Sequence, residues 1–112
     1  MARNRSLEIG ELTDTAYYIL LSLIQAKHGY IVMKTVETIT NGKISIGPAS
    51  LYSTIQKLQS ASLIELMDIE DKNKKTYQTT LKGIKLLKKE MLRRQEMVKH
   101  AVEILNKKEV LQ

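Results

Sequence analysis

Cysteine, tryptophan and phenylalanine are absent from the chain, and proline occurs once. Without cysteine there is no disulfide framework, no thiolate zinc site and no cysteine nucleophile. That fits a reducing cytosol, and a cytoplasmic location is expected. Five tyrosines supply every aromatic ring. No apolar run approaches the roughly 18 residues that a membrane span needs, the longest being YYILLSLI with a serine inside it. The N-terminus MARNRSLEIGELTD is mixed in charge and has no apolar centre, so it does not read as a signal peptide.

Negative charge is also in short supply. Eighteen Lys and Arg stand against twelve Asp and Glu, a formal charge of +6. Such a balance favours nucleic acid or another anionic surface as partner. A chain of 112 residues suits one domain with one modest core.

Local patterns give an order of elements. Residues 1 to 11 are polar and are expected to be loose. Thr13 suits the N-cap of a first helix, with Asp14 in the first turn where a negative charge favours the dipole. The run TAYYILLSLIQA is apolar almost all round, so a second side of this helix is expected to face another subunit. KHGY breaks the pattern at Gly29, and a second helix follows with Val32, Val36 and Ile39 on one face. Asn41-Gly42 signals a turn, and Lys43-Ile44-Ser45 is expected to form a short strand pairing. Gly47-Pro48 starts a third helix, because proline is tolerated at the first helical position. From residue 63 the period changes: LIELMDIE, a DKNK turn and KTYQTT read as a hairpin. After Thr80, a suitable N-cap, a long helix runs to about Lys108. Its apolar residues Ile84, Leu87, Met91, Val98, Ala101 and Leu105 recur at helical spacing.

Three helices, a hairpin and a long helix make a mainly α (α+β) fold, the winged helix-turn-helix, with a C-terminal dimerisation helix. The expected layout is a flexible 1–11, a winged domain over 12–80 and the dimerisation helix over 81–112. The third helix carries Leu51, Ile55 and Leu58 on its apolar face, and Ala49, Ser53, Gln56 and Ser60 opposite, with Lys57 at the edge. Carboxylates there would repel phosphates, while short polar side chains let a backbone approach base edges.

The residues of interest each allow more than one role. Ser50 either offers its hydroxyl to a phosphate or caps locally. Tyr52 and Tyr30 either reach the DNA backbone or pack on neighbouring helices. Ser53 and Gln56 are placed to read bases. Lys72, Lys74 and Lys75 form a basic hairpin tip, a solvated charge run on its own but a phosphate contact beside such a helix. Arg94 interrupts the apolar seam; it either lies at the edge with its head in water or meets an acid of a partner. His28 and His100 lack companions at ligand spacing, so no metal site or cofactor is expected. Glu65, Asp68, Glu70 and Asp71 lack a base or nucleophile and read as solvated residues restraining non-specific DNA contact. No enzymatic arrangement is visible.

HGY, IGPASLY, KLQSASLIE and KKTYQTTLKG, in that order over residues 12 to 83, are similar to the PadR family of bacterial transcriptional regulators. The resemblance implies a homodimeric, double-stranded-DNA-binding repressor acting at a pseudo-palindromic operator. It also implies that the last helix joins the first in the dimer interface, through Tyr17, Leu20, Leu21, Ile84, Leu87, Met91, Val98 and Leu105. The single C-terminal helix resembles the family's short branch. A small-molecule effector is suggested by several members, but no tryptophan in the last helix offers them a stacking surface here. A pocket would use Met, Leu and Tyr17 or Tyr18. The family's Arg-rich wing strand is Lys74-Lys75-Thr76-Tyr77 here, and its Leu-Thr cap is Thr79-Thr80. The rival class is a winged helix that binds proteins without specific DNA.

Overall fold

A computed structural model describes residues 10–69 and 74–107. The elements are α1 (Asp14–Ser22), β1 (Lys27–His28), α2 (Gly29–Ile39), α3 (Pro48–Ser60), β2 (Ile64–Ile69), β3 (Lys75–Thr79) and α4 (Leu81–Leu105). The strands form one antiparallel sheet in the order β1-β3-β2. This is the expected winged helix-turn-helix, mostly helical with a small sheet.

The helix ends follow their local chemistry. Thr13 caps α1 by accepting from the Ala16 N–H, and Thr80 caps α4 by accepting from the Gly83 N–H. Pro48 sits in the first turn of α3. After α3, Ser62 takes a left-handed φ of 62° and turns the chain into β2. Asn41 and Gly42 do the same after α2, as the Asn-Gly pair suggests.

One expected strand is misplaced. Residues 43–45 pair with nothing in the sheet; Ile44 instead donates its N–H to Thr40 Oγ1, and Ile46 is buried. The third strand is Lys27–His28, whose register sets Lys27 opposite Tyr77. A two-residue strand carries no periodicity, so the edge of β3 selects it rather than its own sequence. Gly29 begins α2, where the second helix is expected to start. Of Val32, Val36 and Ile39, expected on one face of α2, the first two are buried and Ile39 is exposed.

The core joins Ile19, Leu20 and Leu23 of α1 and its end to Val32, Val36, Leu51, Ile55, Leu58, Ile64 and Leu87. Leu20 has no exposed surface and Leu87 is buried. Leu20 belongs wholly to the protomer's own core and offers no face to a second copy, whereas Leu87 packs in that core and also lines the groove between α1 and α4. The direction of each along its helix decides this, and apolarity alone does not reveal it.

Polar anchors fix α4. Glu90 is completely buried, yet it accepts from the Leu12 N–H at 2.7 Å and from Arg93 through Nε and Nη2. Arg94 donates to Asp14 and to the Leu12 carbonyl, both at 2.8 Å, and its guanidinium lies 4.4 Å from the centre of the Tyr17 ring. Arg94 therefore meets an acid of its own chain. Thr79, where a leucine would have filled the core, sends its hydroxyl to the Leu20 carbonyl at 2.8 Å. Thr80 Oγ1 and Lys82 Nζ donate to the Ser62 and Ala61 carbonyls, at 2.7 and 2.8 Å.

Glu90 should make stability depend on acid. The Arg93 hydrogen bond, helped by Leu12 and opposed by burial, holds its carboxyl below the ordinary range. A lowered folded-state value means stability fully present above the unfolded value near 4.3 and lost as pH falls through the folded one. Glu90→Gln should cost about 2 kcal/mol at pH 7. Urea titrations at one protein concentration should show the difference from the parent shrinking below about pH 4. Gly83→Ala should cost about 1–3 kcal/mol through overpacking. A methyl there would stand 2.6 Å from Thr79 Cγ2 and inside contact distance of the Leu63 carbonyl. Thermal melting checks it.

Candidate nucleic-acid interface

The surface around α3 is built from three elements. Leu51, Ile55 and Leu58 are buried and hold the helix to the core. Ser50, Tyr52, Ser53, Gln56 and Lys57 are exposed, and no carboxylate interrupts them. All five expected residues of α3 thus lie on open surface.

Tyr52 is held at the edge of α2 by a close approach. A methyl at Gly29 would stand 3.3 Å from Tyr52 Cε1 and 3.6 Å from Tyr77 Cε2, so glycine lets the start of α2 come against both rings. Tyr77 is buried at 8% exposure and supports this contact from β3. Burial pushes its phenol above the ordinary tyrosine value, and neighbouring Tyr52 adds to the rise. The phenol stays neutral, as a packing ring should.

Tyr30, also exposed, stacks on His28 with ring centres 5.7 Å apart and planes within 8°. His28 Nδ1 lies 3.3 Å from Thr76 Oγ1, which ties this pair to the hairpin. The place of His28 beside Tyr30 depends on β1, which has no sequence signature. Among the described residues no three His, Asp or Glu side chains gather as metal ligands.

The hairpin is only partly described. Lys74 and Lys75 are exposed at the start of β3, whereas Lys72, Glu70 and Asp71 lie outside the described residues. Glu65 and Asp68 are exposed on β2 opposite Gln78 and Thr76, with a register shift between Leu66 and Asp68.

A second surface lies between α1 and α4. Leu21 and Ile24 are exposed at the end of α1, and Met91, Leu92, Val98, Val102 and Leu105 along α4. Tyr17, Leu21, Ile84, Leu87 and Met91 line a groove of about 190 Å³ there. Tyr17, Leu21, Ile84, Met91, Val98 and Leu105 of the expected interface set thus keep open surface; Leu87 is mostly buried but lines the groove, and Leu20 is fully buried.

No helix among the described residues is long and apolar enough to cross a membrane. No curated protein gives a match to the chain. Among solved structures, a transcriptional regulator from Clostridium thermocellum is similar, with a TM-score of 0.69 and 22% identity over 96% of this chain and 100% of that one. A PadR family transcriptional regulator from Eggerthella lenta has a TM-score of 0.70 and 22% identity, covering 92% and 90% of the two chains. RosR of H. salinarum gives 0.63 and 21%, over 82% and 91%. At these identities the likeness is one of fold. The model of the PadR-like transcriptional regulator family matches residues 19–89, from the middle of α1 into α4, and the chain belongs to that family.

Proposed function

We propose that the protein is a cytoplasmic, homodimeric repressor that binds double-stranded DNA at a pseudo-palindromic operator. The observation that carries this reading is the outer face of α3: five exposed polar side chains, none acidic, beside a helix whose apolar face is fully committed to the core. Ser53 and Gln56 face base edges in the major groove, where glutamine can pair bidentately with adenine. Ser50, Tyr52 and Tyr30 hold phosphates around them, with Lys57, Lys72, Lys74 and Lys75 supplying charge. A second copy meets the α1–α4 surface, because a protomer leaves Val98, Val102 and Leu105 uncovered. A planar aromatic effector entering the groove beside α1 would meet one ring, Tyr17, which already carries Arg94.

The experiment is titration of the protein's own upstream DNA, with unrelated duplex as control, at several salt concentrations. Gln56→Ala should lose about 1–3 kcal/mol on the operator and little on unrelated DNA. Lys74→Ala should weaken both alike and flatten the salt slope by about one unit. Equal losses on all DNA from both changes would remove α3 as the reader; no loss from either would favour the protein-binding class.

Assembly has its own check. Val98 is 62% exposed, so Val98→Lys leaves the protomer's core intact. Light scattering should show the parent as a dimer and the variant shifted toward a monomer near 12.8 kDa, with weaker operator binding. A monomeric parent at micromolar concentration would refute the dimer.

A further inference from the structure

A separate groove of about 310 Å³ lies where the first turns of α4 pass the end of α3. Ala61, Leu63 and Leu86 form an apolar floor, and Lys82, Lys85 and Lys89 form its rim. The volume is at the low end of ligand-sized cavities. We propose that this groove binds an amphipathic anion: an acyl chain on the floor, with its carboxylate among the three lysines.

The charge is the main reason. Spacings of three and four residues put the lysines on one side of α4, and among the described residues no carboxylate lines the groove. The nearby acid of α4, Glu90, is committed to Leu12 and Arg93. Lys82 has a structural task, since it donates to the Ala61 carbonyl at the C-terminal end of α3, where a cation suits the helix dipole. Lys85 and Lys89 have none: both are exposed, and among the described residues neither forms a salt bridge or a side-chain hydrogen bond. Three like charges around an apolar floor repel one another until an anion joins them. Their methylene stems also extend the apolar wall that a chain would touch.

DNA is the less fitting anion. A helix of 13 residues is about 20 Å long, and the groove sits at the end opposite Pro48 and Ser50. Phosphates held around that first turn lie a helix length away. A free phosphate would use the rim and leave the floor empty. The acyl carboxylate uses both, and this site stands whether or not α3 reads DNA.

The test is an amide-resolved NMR titration of the full chain with octanoate, octan-1-ol and acetate at fixed ionic strength. Octanoate should move the Ala61, Leu63 and Leu86 amides saturably, with a Kd of about a few millimolar or tighter for its ten heavy atoms. Octanol and acetate should each bind more weakly. Lys85→Ala with Lys89→Ala should weaken octanoate about five-fold while leaving the melting temperature and the DNA titration unchanged. Octanol binding as well as octanoate, acetate matching it, or an unchanged affinity in the double variant would overturn the proposal. So would a double variant that loses DNA affinity and keeps octanoate, since the lysines would then belong to the DNA surface.

Discussion

A carboxylate with no exposed surface, Glu90, holds the molecule's longest helix to its first. Burying an ionised carboxylate costs several kcal/mol unless charge-assisted hydrogen bonds offset it. Here the offset comes from Arg93 on the same helix and from the Leu12 N–H just before α1. Arg94, one residue on, takes the Leu12 carbonyl and Asp14 and covers the Tyr17 ring. Both polar groups of one peptide segment are thereby claimed by α4. An apolar contact could hold the helices together equally well, but it would let them slide. Directional bonds to a single residue fix the register.

That register reaches α3 through the other end of α4. Thr80 and Lys82 donate to the last carbonyls of the α3 turn, and Gly83 lets the helix lie directly against the Leu63 carbonyl. Thr79, which gives up a leucine's packing, satisfies the Leu20 carbonyl instead. The first helix, the long helix and the end of α3 are thus joined by hydrogen bonds as well as by core packing. Anything that rotates α4 must strain bonds at Ala61 and Ser62 before α3 can stay in place. Orientation of the outer face of α3 follows from the placement of α4.

Features with local causes were legible in the sequence. The caps at Thr13 and Thr80, proline at the head of α3, the Asn-Gly turn and the hairpin each rest on a few neighbouring residues. So does the carboxylate-free face of α3. Features imposed from a distance were not legible. β1 exists because β3 has an edge to fill, and a two-residue strand has no period to detect. Glu90 sits in a lysine-rich helix where a glutamate ordinarily reads as solvated. The burial of Leu20 and Leu87, against the exposure of Leu21 and Met91, depends on helix rotation that an all-round apolar pattern leaves open. The stack of His28 on Tyr30 depends on both β1 and the hairpin.

The distal half of α4 sets the last condition. Helices draw most of their stability from packing an amphipathic face, since propagation alone is marginal in water. Up to Glu90 that packing is supplied by the protomer; beyond it, Val98, Val102 and Leu105 continue the stripe of Ile84, Leu87 and Met91 and are exposed among the described residues. A helix of 25 residues is about 37 Å long, so a large part of it projects past the core. On the proposed dimer, the partner supplies the missing face. The Glu90 and Arg94 bonds then do more than stabilise one protomer. They would transfer the partner's position, through α4, to the pins at Ala61 and Ser62. In such a dimer the spacing between the two α3 helices would be set by hydrogen bonds far from either of them.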